Sequence, residues 1–172
     1  MNELVWTETA DLFLSHGNFA VRDLSADLPF PSLAYANGLV GTDFINGAVV
    51  LTGIHTGSVT VTARALDTEP DSVELDGWDE VAEVSVDSEY GELIVYGTGE
   101  HLPDFPELAH AGPGSYRVRV HARGRDIAPH LNVSEPVEDY LISVWPAPEA
   151  PDVVYKQSDK RGQEYRAQRR RP

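Results

Sequence analysis

The chain contains two segments, residues 57–65 and 115–124, in which apolar and polar side chains alternate one by one. In the second segment the apolar positions are Tyr116, Val118, Val120 and Ala122, and the polar positions are Arg117, Arg119, His121 and Arg123. Successive side chains of a β-strand point to opposite faces of the sheet, so this alternation is typical of a strand with one buried face. Both segments are therefore predicted to be half-buried β-strands.

Shorter runs of β-branched and aromatic residues predict further strands. They cover residues 12–15, 19–21, 47–52, 81–86, 92–96 and 139–145. Turn residues around Gly91 predict that residues 84–96 form a β-hairpin. No segment of the sequence shows a sustained helical period. The pattern thus predicts an all-β chain, an antiparallel β-sandwich of jelly-roll type with about seven or eight strands.

The prolines at positions 146, 148 and 151 predict where the folded domain ends, because proline is excluded from central strands and stiffens a linker. Residues 1–150 are predicted to form the β-sandwich domain. Residues 151–172 are predicted to form a basic tail, flexible or partly helical, with residues 163–170 as the candidate helix. Two interpretations of the tail remain: a solubilising end, or an arm that lies on an acidic body or contacts nucleic acid.

Charge is distributed unevenly along the chain, whose formal net charge is −15. Residues 1–155 hold 26 acidic and 6 basic residues, whereas residues 156–172 hold 7 basic and 2 acidic residues. An acidic body repels nucleic acid and anionic membranes, and it attracts cationic surfaces at a rate that salt suppresses. We therefore expect a basic protein as partner, no membrane association, and no direct nucleic-acid binding by the body.

Composition also bears on the cellular location. The sequence has no cysteine, which excludes disulfides, thiolate catalysis and cysteine-bound zinc, and which agrees with a reducing compartment. The first residues lack the basic start and unbroken apolar run of a signal peptide, and the longest apolar runs are too short to cross a bilayer. A cytoplasmic protein is expected.

Patterns for catalysis and metal binding are weak throughout the sequence. The six histidines lack the spacing that places two metal ligands on one face of a strand or helix. Ser115 lacks the sequence frame of a serine nucleophile, and the glycines after Tyr96 lack the third glycine and the helix of a phosphate-binding loop. No catalytic residue, metal site or cofactor is predicted, so an enzyme is the least supported class.

The strongest functional candidate is residues 67–80, which contain seven carboxylates, one tryptophan and no basic residue. The regular ligand alternation of a short calcium loop is missing, and no carboxyl group is marked as the desolvated acid of a catalytic pair. The alternatives that remain are a looser calcium site, a solvated loop, and a docking surface with Trp78 as an aromatic anchor. The docking surface is predicted to comprise Asp67, Glu69, Asp71, Glu74, Asp76, Trp78, Asp79, Glu80, Glu83 and Asp87.

The order of strands and turns resembles that of the competence protein J family of small bacterial proteins and of uncharacterised actinobacterial relatives. The likeness spans about residues 10–146 and lies in Asn46–Leu51, Ser58–Leu66, Leu93–Tyr96, Gly112–Val120 and Tyr140–Pro146. The family consists of single-domain β proteins that inhibit a partner DNA-entry nuclease. The resemblance therefore implies a non-enzymatic inhibitor and supplies no catalytic residue. The acidic segment and the basic tail depart from the family pattern.

Three functional hypotheses follow. The first is an inhibitor or immunity-like protein whose acidic segment docks on a basic protein, such as a nuclease or a toxin. The second is a carbohydrate- or calcium-dependent ligand-binding sandwich in which Trp78, Trp145 and tyrosines stack on a sugar. The third is a structural or oligomeric module held together by pairing between tail and body.

Overall fold

A computed structural model describes residues 3–24, 36–42, 47–98 and 102–169. Within these residues the chain forms ten β-strands and one helix, which confirms the predicted all-β class. In chain order they are β1 (Leu4–Leu14), β2 (Asn18–Asp23), β3 (Val40–Gly41), β4 (Gly47–Leu51), β5 (Gly57–Leu66), β6 (Glu80–Ser88), β7 (Leu93–Tyr96), β8 (Gly114–Arg123), β9 (Asp139–Pro146), β10 (Val153–Gln157) and α1 (Lys160–Arg169). No helix within these ranges is long and apolar enough to span a bilayer.

The described strands form two sheets. The six-stranded sheet has the order β1-β5-β9-β8-β6-β10, and the four-stranded sheet has the order β3-β4-β2-β7. Strands β5 and β9 pair in parallel, with Thr60 opposite Asp139. The arrangement therefore differs from the purely antiparallel one expected from the sequence. A parallel pair needs a long crossover connection, and here β6, β7 and β8 supply it.

The predicted hairpin of residues 84–96 is wrong, because β6 and β7 lie in different sheets. The carboxylate of Asp23, at the end of β2, binds the connection between them and is fully buried. It accepts hydrogen bonds from the Tyr90 amide at 2.8 Å and the Glu92 amide at 3.2 Å, and a third from the Ser88 hydroxyl. A side chain distant in sequence thus satisfies the amides of this connection, and the chain crosses from one sheet to the other.

The main core is an apolar cluster to which both sheets contribute, and a smaller second cluster joins Tyr165 of α1 to Ala20, Val49 and Leu51 of the four-stranded sheet. Val118 of β8 and Val21 of β2 belong to the main core and are fully buried. Phe19 of β2 meets Tyr140 of β9 edge to face, with ring centroids 5.1 Å apart. Burying a large apolar side chain contributes roughly 1.5–3 kcal/mol, so the alternating apolar positions of the strands hold the two sheets together.

The polar face of β8 is buried as well, so the prediction of a half-buried strand is wrong on this side. Arg117, Arg119 and His121 are 4%, 2% and 2% exposed. They lie on the face of the six-stranded sheet that points away from the core, which we call the outer face. Residues 67–79 and 147–155 cover them there, and both covering segments are distant from β8 in sequence.

The carboxyl-terminal residues form β10 and α1, which contact the body. Strand β10 pairs antiparallel with β6 at the edge of the six-stranded sheet. The fully buried guanidinium of Arg125 binds both carboxylate oxygens of Asp159, with nitrogen–oxygen distances of 2.7 and 2.8 Å. Asp159 also accepts a hydrogen bond from the Gly162 amide at 2.7 Å, which caps the start of α1. The carboxyl-terminal segment is thus bound to the body of its own chain, here by a tail carboxylate and a body guanidinium.

Helix α1 approaches the body closely at two glycines. Gly38 has a φ of +77°, and a Cβ added there would lie 2.5 Å from the carbonyl oxygen of Gly162. A Cβ added at Gly162 would lie 2.5 Å from a carboxylate oxygen of Glu80. The close atom at Gly38 belongs to the backbone, so the contact between the helix and the body depends on glycine there. A side chain at Gly162 would instead displace the ends of the Glu80, Arg125 and Asp159 side chains.

Candidate functional site

Residues 67–79 connect β5 to β6 and are called the acidic loop. The loop lies on the outer face of the six-stranded sheet, where Trp78 is the main contact. The Trp78 ring meets the imidazole of His121 edge on, with centroids 5.3 Å apart, and the guanidinium of Arg123 lies 4.5 Å from the Trp78 ring centroid. An edge-to-face ring contact and a cation–π contact therefore attach the loop to β8.

Two arginines of the sheet pair with carboxylates of the acidic loop. Arg64 of β5 lies 3.0 Å from Glu74, and Arg119 of β8 lies 3.7 Å from Glu69. The side chains of Glu74 and Glu69 nevertheless remain 56% and 64% exposed. Exposed ion pairs of this kind contribute little stability, about 0–1 kcal/mol each. They orient the two carboxylates and leave them accessible to a partner.

The loop has a fixed turn near its end. Gly77 adopts a φ of +81°, a conformation that favours glycine, and the Trp78 amide donates to the carbonyl of Leu75 at 3.2 Å. The ammonium group of Lys156 donates to the same carbonyl at 3.1 Å. This turn determines where the Trp78 ring meets the sheet.

Both ends of the loop are hydrogen-bonded to the body. The amide of Glu3 donates to the carboxylate of Asp67, and this bond lowers the pKa of that carboxyl group. At the other end, Asp79 accepts a hydrogen bond from the Gly124 amide at 3.0 Å, and its own amide donates to the carbonyl of Ala122 at 2.9 Å. The loop is thus held at its two ends and at Trp78.

The structure divides the ten predicted docking residues into three groups by exposure. Five are exposed: Glu69, Asp71, Glu74, Asp76 and Asp87. Three are half-buried: Asp67, Trp78 and Asp79. Two are buried: Glu80 and Glu83. The first two groups lie in the acidic loop, except for Asp87, which lies near the end of β6.

Glu83 forms a buried ion pair with two arginines, so it does not belong to an accessible surface. Its carboxylate oxygens accept hydrogen bonds from Nε of Arg117 at 2.8 Å and Nε of Arg119 at 2.9 Å. Glu83 is 4% exposed. The prediction of Glu83 as a docking residue is therefore wrong, because β8 places two arginines beside it and the covering segments exclude solvent.

Glu80 is also removed from the docking surface, since it is 1% exposed. It lies 3.1 Å from Arg166 of α1 and 3.6 Å from Arg125, and it accepts hydrogen bonds from the amides of Ser158 and Asp159. Burial raises the pKa of this carboxyl group. Its contacts join β6 to the carboxyl-terminal segment, which is a structural role.

The sequence does not reveal the role of His121, because a histidine on the polar side of a strand is typical of a protein surface. It is 2% exposed, and neither ring nitrogen has a hydrogen-bond partner among the described residues. Burial lowers the pKa of His121 to about 4. The ring is therefore neutral at neutral pH. It lies between the sheet and the acidic loop, in contact with the Trp78 ring.

The hypothesis of a carbohydrate- or calcium-dependent binding protein predicts two features that the described residues do not show. Within those residues, no group of three histidine, aspartate or glutamate side chains is arranged to hold a metal ion. Trp145 is 2% exposed, and its ring lies 4.9 Å from the guanidinium of Arg119. The Trp145 ring is therefore covered and not free to stack on a sugar.

The structure defines an all-β protein of two sheets that carries an acidic loop on its outer face. Its fold is similar to the crystal structure of ComJ, inhibitor of the DNA degrading activity of NucA, from Bacillus subtilis. The TM-score is 0.58 at 14% sequence identity, over 86% of this chain and 99% of ComJ. The resemblance to the competence protein J family is thus confirmed at the level of the fold.

A second solved structure, described as crocagin biosynthetic gene J, has a TM-score of 0.48 at 17% identity, over 84% of this chain and 100% of that chain. The sequence matches no family model, and it has no significant match among curated proteins.

Proposed function

We propose that this chain is a non-enzymatic inhibitor that binds a basic protein, such as a nuclease or a toxin, in the cytoplasm. The binding surface is the acidic loop together with Asp87, on a scaffold that we interpret as a jelly-roll-like β-sandwich. The observation that carries the proposal is a set of exposed carboxylates on a loop that the sheet holds in place. Support also comes from the fold, which ComJ, an inhibitor of a DNA-degrading protein, shares.

The physical basis of the proposal is electrostatic attraction to a loop that is already ordered. A net charge of −15 raises the rate of encounter with a cationic surface. Contacts of Trp78 with Arg123 and His121 fix the loop before binding, so less conformational entropy is lost in the complex. The exposed carboxylates of Asp71 and Asp76 then meet the partner's lysines and arginines.

The proposal is tested by inhibition of DNA degradation. The probes are NucA of Bacillus subtilis and the basic nucleases of the source organism, each assayed with and without this chain. We expect inhibition of at least one nuclease at low salt, and weaker inhibition as salt rises, because the screening length falls to about 10 Å at 0.1 M. Absence of inhibition of every basic nuclease, or inhibition that salt leaves unchanged, would contradict the proposal.

A pair of matched variants locates the surface. The variant with Asp71→Asn and Asp76→Asn removes two exposed charges from the acidic loop. The control with Asp104→Asn and Glu135→Gln removes two exposed charges elsewhere. The loop variant is expected to bind the inhibited nuclease about fivefold more weakly and the control to bind like the wild type. Equal losses in both variants would indicate attraction by net charge alone.

A further inference from the structure

A groove of about 560 Å³ lies on the outer face, between the acidic loop and the connection from β9 to β10. Trp145 forms part of its floor, and Pro148, Val153 and Tyr155 line its side. Val153 is 37% exposed, and Pro148 is exposed as well. The groove thus presents apolar surface to solvent next to the carboxylates of the proposed docking surface.

The side of the groove is held in place by hydrogen bonds to Arg117. This guanidinium donates to the carbonyl of Ala150 at 2.9 Å and to the carbonyl of Pro151 at 3.0 Å. The Ala150 amide donates to the hydroxyl of Ser85 at 3.0 Å. Prolines in this connection restrict its backbone further. The groove is therefore formed in advance of any ligand, which lowers the entropy cost of filling it.

The accessible charge at the groove is negative. Glu69 and Glu149 are exposed at its rim. Arg117 also lines the groove, but it is 4% exposed and its nitrogens bind Glu83, Ser85 and the backbone. Its charge is therefore compensated inside the protein, and the rim attracts cations.

The aromatic rings near the groove already contact a cation. The guanidinium of Arg119 lies 4.9 Å from the Trp145 ring and 5.1 Å from the Tyr155 ring. An aromatic and proline-lined surface with a carboxylate rim suits a segment that is apolar in the middle and cationic at its ends.

We propose that this groove binds an extended segment of a partner protein in which an aliphatic residue is flanked by lysine or arginine. The aliphatic side chain packs against Pro148, Val153 and Tyr155, while the flanking cations meet Glu69 and Glu149. Because Glu69 also belongs to the acidic loop, the groove and the proposed docking surface are continuous. The identity of the partner as an inhibited basic protein rests on the proposed function, whereas recognition of the basic, apolar segment does not.

The groove is tested by nuclear magnetic resonance titration of the full chain with three acetylated and amidated pentapeptides. Their sequences are Gly-Lys-Leu-Arg-Gly, Gly-Lys-Gly-Arg-Gly and Gly-Glu-Leu-Glu-Gly. The first peptide is expected to shift the Trp145 indole signal and the amides of Val153 and Tyr155, and the other two to leave these signals in place. Unmoved groove signals with the first peptide, or equal shifts with the acidic one, would overturn the proposal.

Two charge-reversed variants test the rim carboxylates. The groove variant, Glu69→Lys with Glu149→Lys, is expected to weaken binding of Gly-Lys-Leu-Arg-Gly about fivefold or more. The control variant, Asp104→Lys with Glu135→Lys, is expected to leave binding unchanged. An equal loss in the two variants would overturn groove recognition. Peptide binding without inhibition of any nuclease would support the groove and contradict the proposed function. Nuclease inhibition without peptide binding would support the function and contradict the groove.

Discussion

The acidic loop and strand β6 follow each other along the chain and are both rich in carboxylates, yet their carboxylates differ in environment. In the loop, Asp71 and Asp76 are exposed. In β6, Glu80 and Glu83 are buried among arginines. The local density of acidic residues therefore does not decide which carboxylates are accessible. An arginine partner does not decide it either, because Glu69 and Glu74 pair with arginines and stay exposed. What decides it is whether neighbouring elements enclose the ion pair, as they do at Glu83.

The register of the sheet explains the difference. Glu83 of β6 is directly opposite Arg119 of β8, and Arg117 is two residues away on the same face. Directly opposed side chains on a sheet lie close enough to pair. Among the described residues the acidic loop pairs with no strand, and its carboxylates reach arginines at the sheet surface. One acidic stretch of sequence thus supplies both an internal ion pair and an external charged surface.

The largest expected effect is from Glu83→Gln. This change leaves the buried guanidinium groups of Arg117 and Arg119 without their carboxylate, and loss of one partner of a buried ion pair costs about 3–5 kcal/mol. We expect a decrease of this size in the free energy of unfolding, measured by urea denaturation. The matched change Glu69→Gln, at an exposed carboxylate of the loop, should cost less than about 1 kcal/mol. Similar losses for the two variants would remove the distinction between them.

The next effect concerns His121, which lies beneath the loop. Its pKa is about 4 in the folded protein and 6.5 in the unfolded chain. As pH falls between these two values, the unfolded chain binds a proton that the folded protein does not bind. The wild type therefore loses up to about 3 kcal/mol of stability over this range.

The change His121→Phe should remove this pH-dependent loss. The difference in unfolding free energy between variant and wild type should move in favour of the variant by up to about 3 kcal/mol as pH falls from 6.5 to 4. Urea denaturation at several pH values measures it, and the ring signals of His121 report the titration directly. A midpoint near 6.5 in the folded protein would show that the loop does not keep water from the imidazole.

A smaller effect is expected from Trp78→Ala, because an aromatic anchor contributes about 2 kcal/mol to binding and the loop stays tied at both ends. Affinity for the inhibited nuclease, measured by calorimetry, should fall about 30-fold. The variant Arg123→Gln keeps the ring and removes the cation that lies over it. Unchanged affinity in Trp78→Ala would limit Trp78 to covering the sheet.

The smallest effect on stability is expected from Asp71→Asn combined with Asp76→Asn. Substitutions of exposed residues usually change the free energy of unfolding by less than about 0.5 kcal/mol each. Thermal unfolding of this variant should therefore match that of the wild type, although its affinity for the partner falls. A decrease in stability comparable to that of Glu83→Gln would show that these carboxylates make internal contacts.

The local alternation of the sequence is sufficient to predict which side chains of the strands face the core. The alternation in β8 correctly placed Val118 and Val120 in the core, because the period of a strand follows from backbone geometry. The other half of β8 could not be predicted. Its burial depends on residues 67–79 and 147–155, and no periodicity within β8 encodes segments so far away.

Long-range contacts also explain the two connections that the sequence did not reveal. The crossing from β6 to β7 depends on Asp23, which lies in β2. The pairing of β10 with β6 was hidden because residues 151–172 are polar, and their attachment depends on the buried contact between Arg125 and Asp159. For the candidate site, composition identified the acidic loop, whereas the exposure of each carboxylate required its partners to be known.

The contacts between helix α1 and the body define a sequence pattern that can be searched for in distant homologues. Glycine is required at position 38, a side chain at position 162 would disturb the ion pairs around it, and the ion pair joins Arg125 to Asp159, 34 residues later. These four positions are buried, so a change of partner at the surface places no direct demand on them. A sequence profile weighted toward these four positions would distinguish chains whose carboxyl-terminal segment is bound to the body from chains that share only the two sheets.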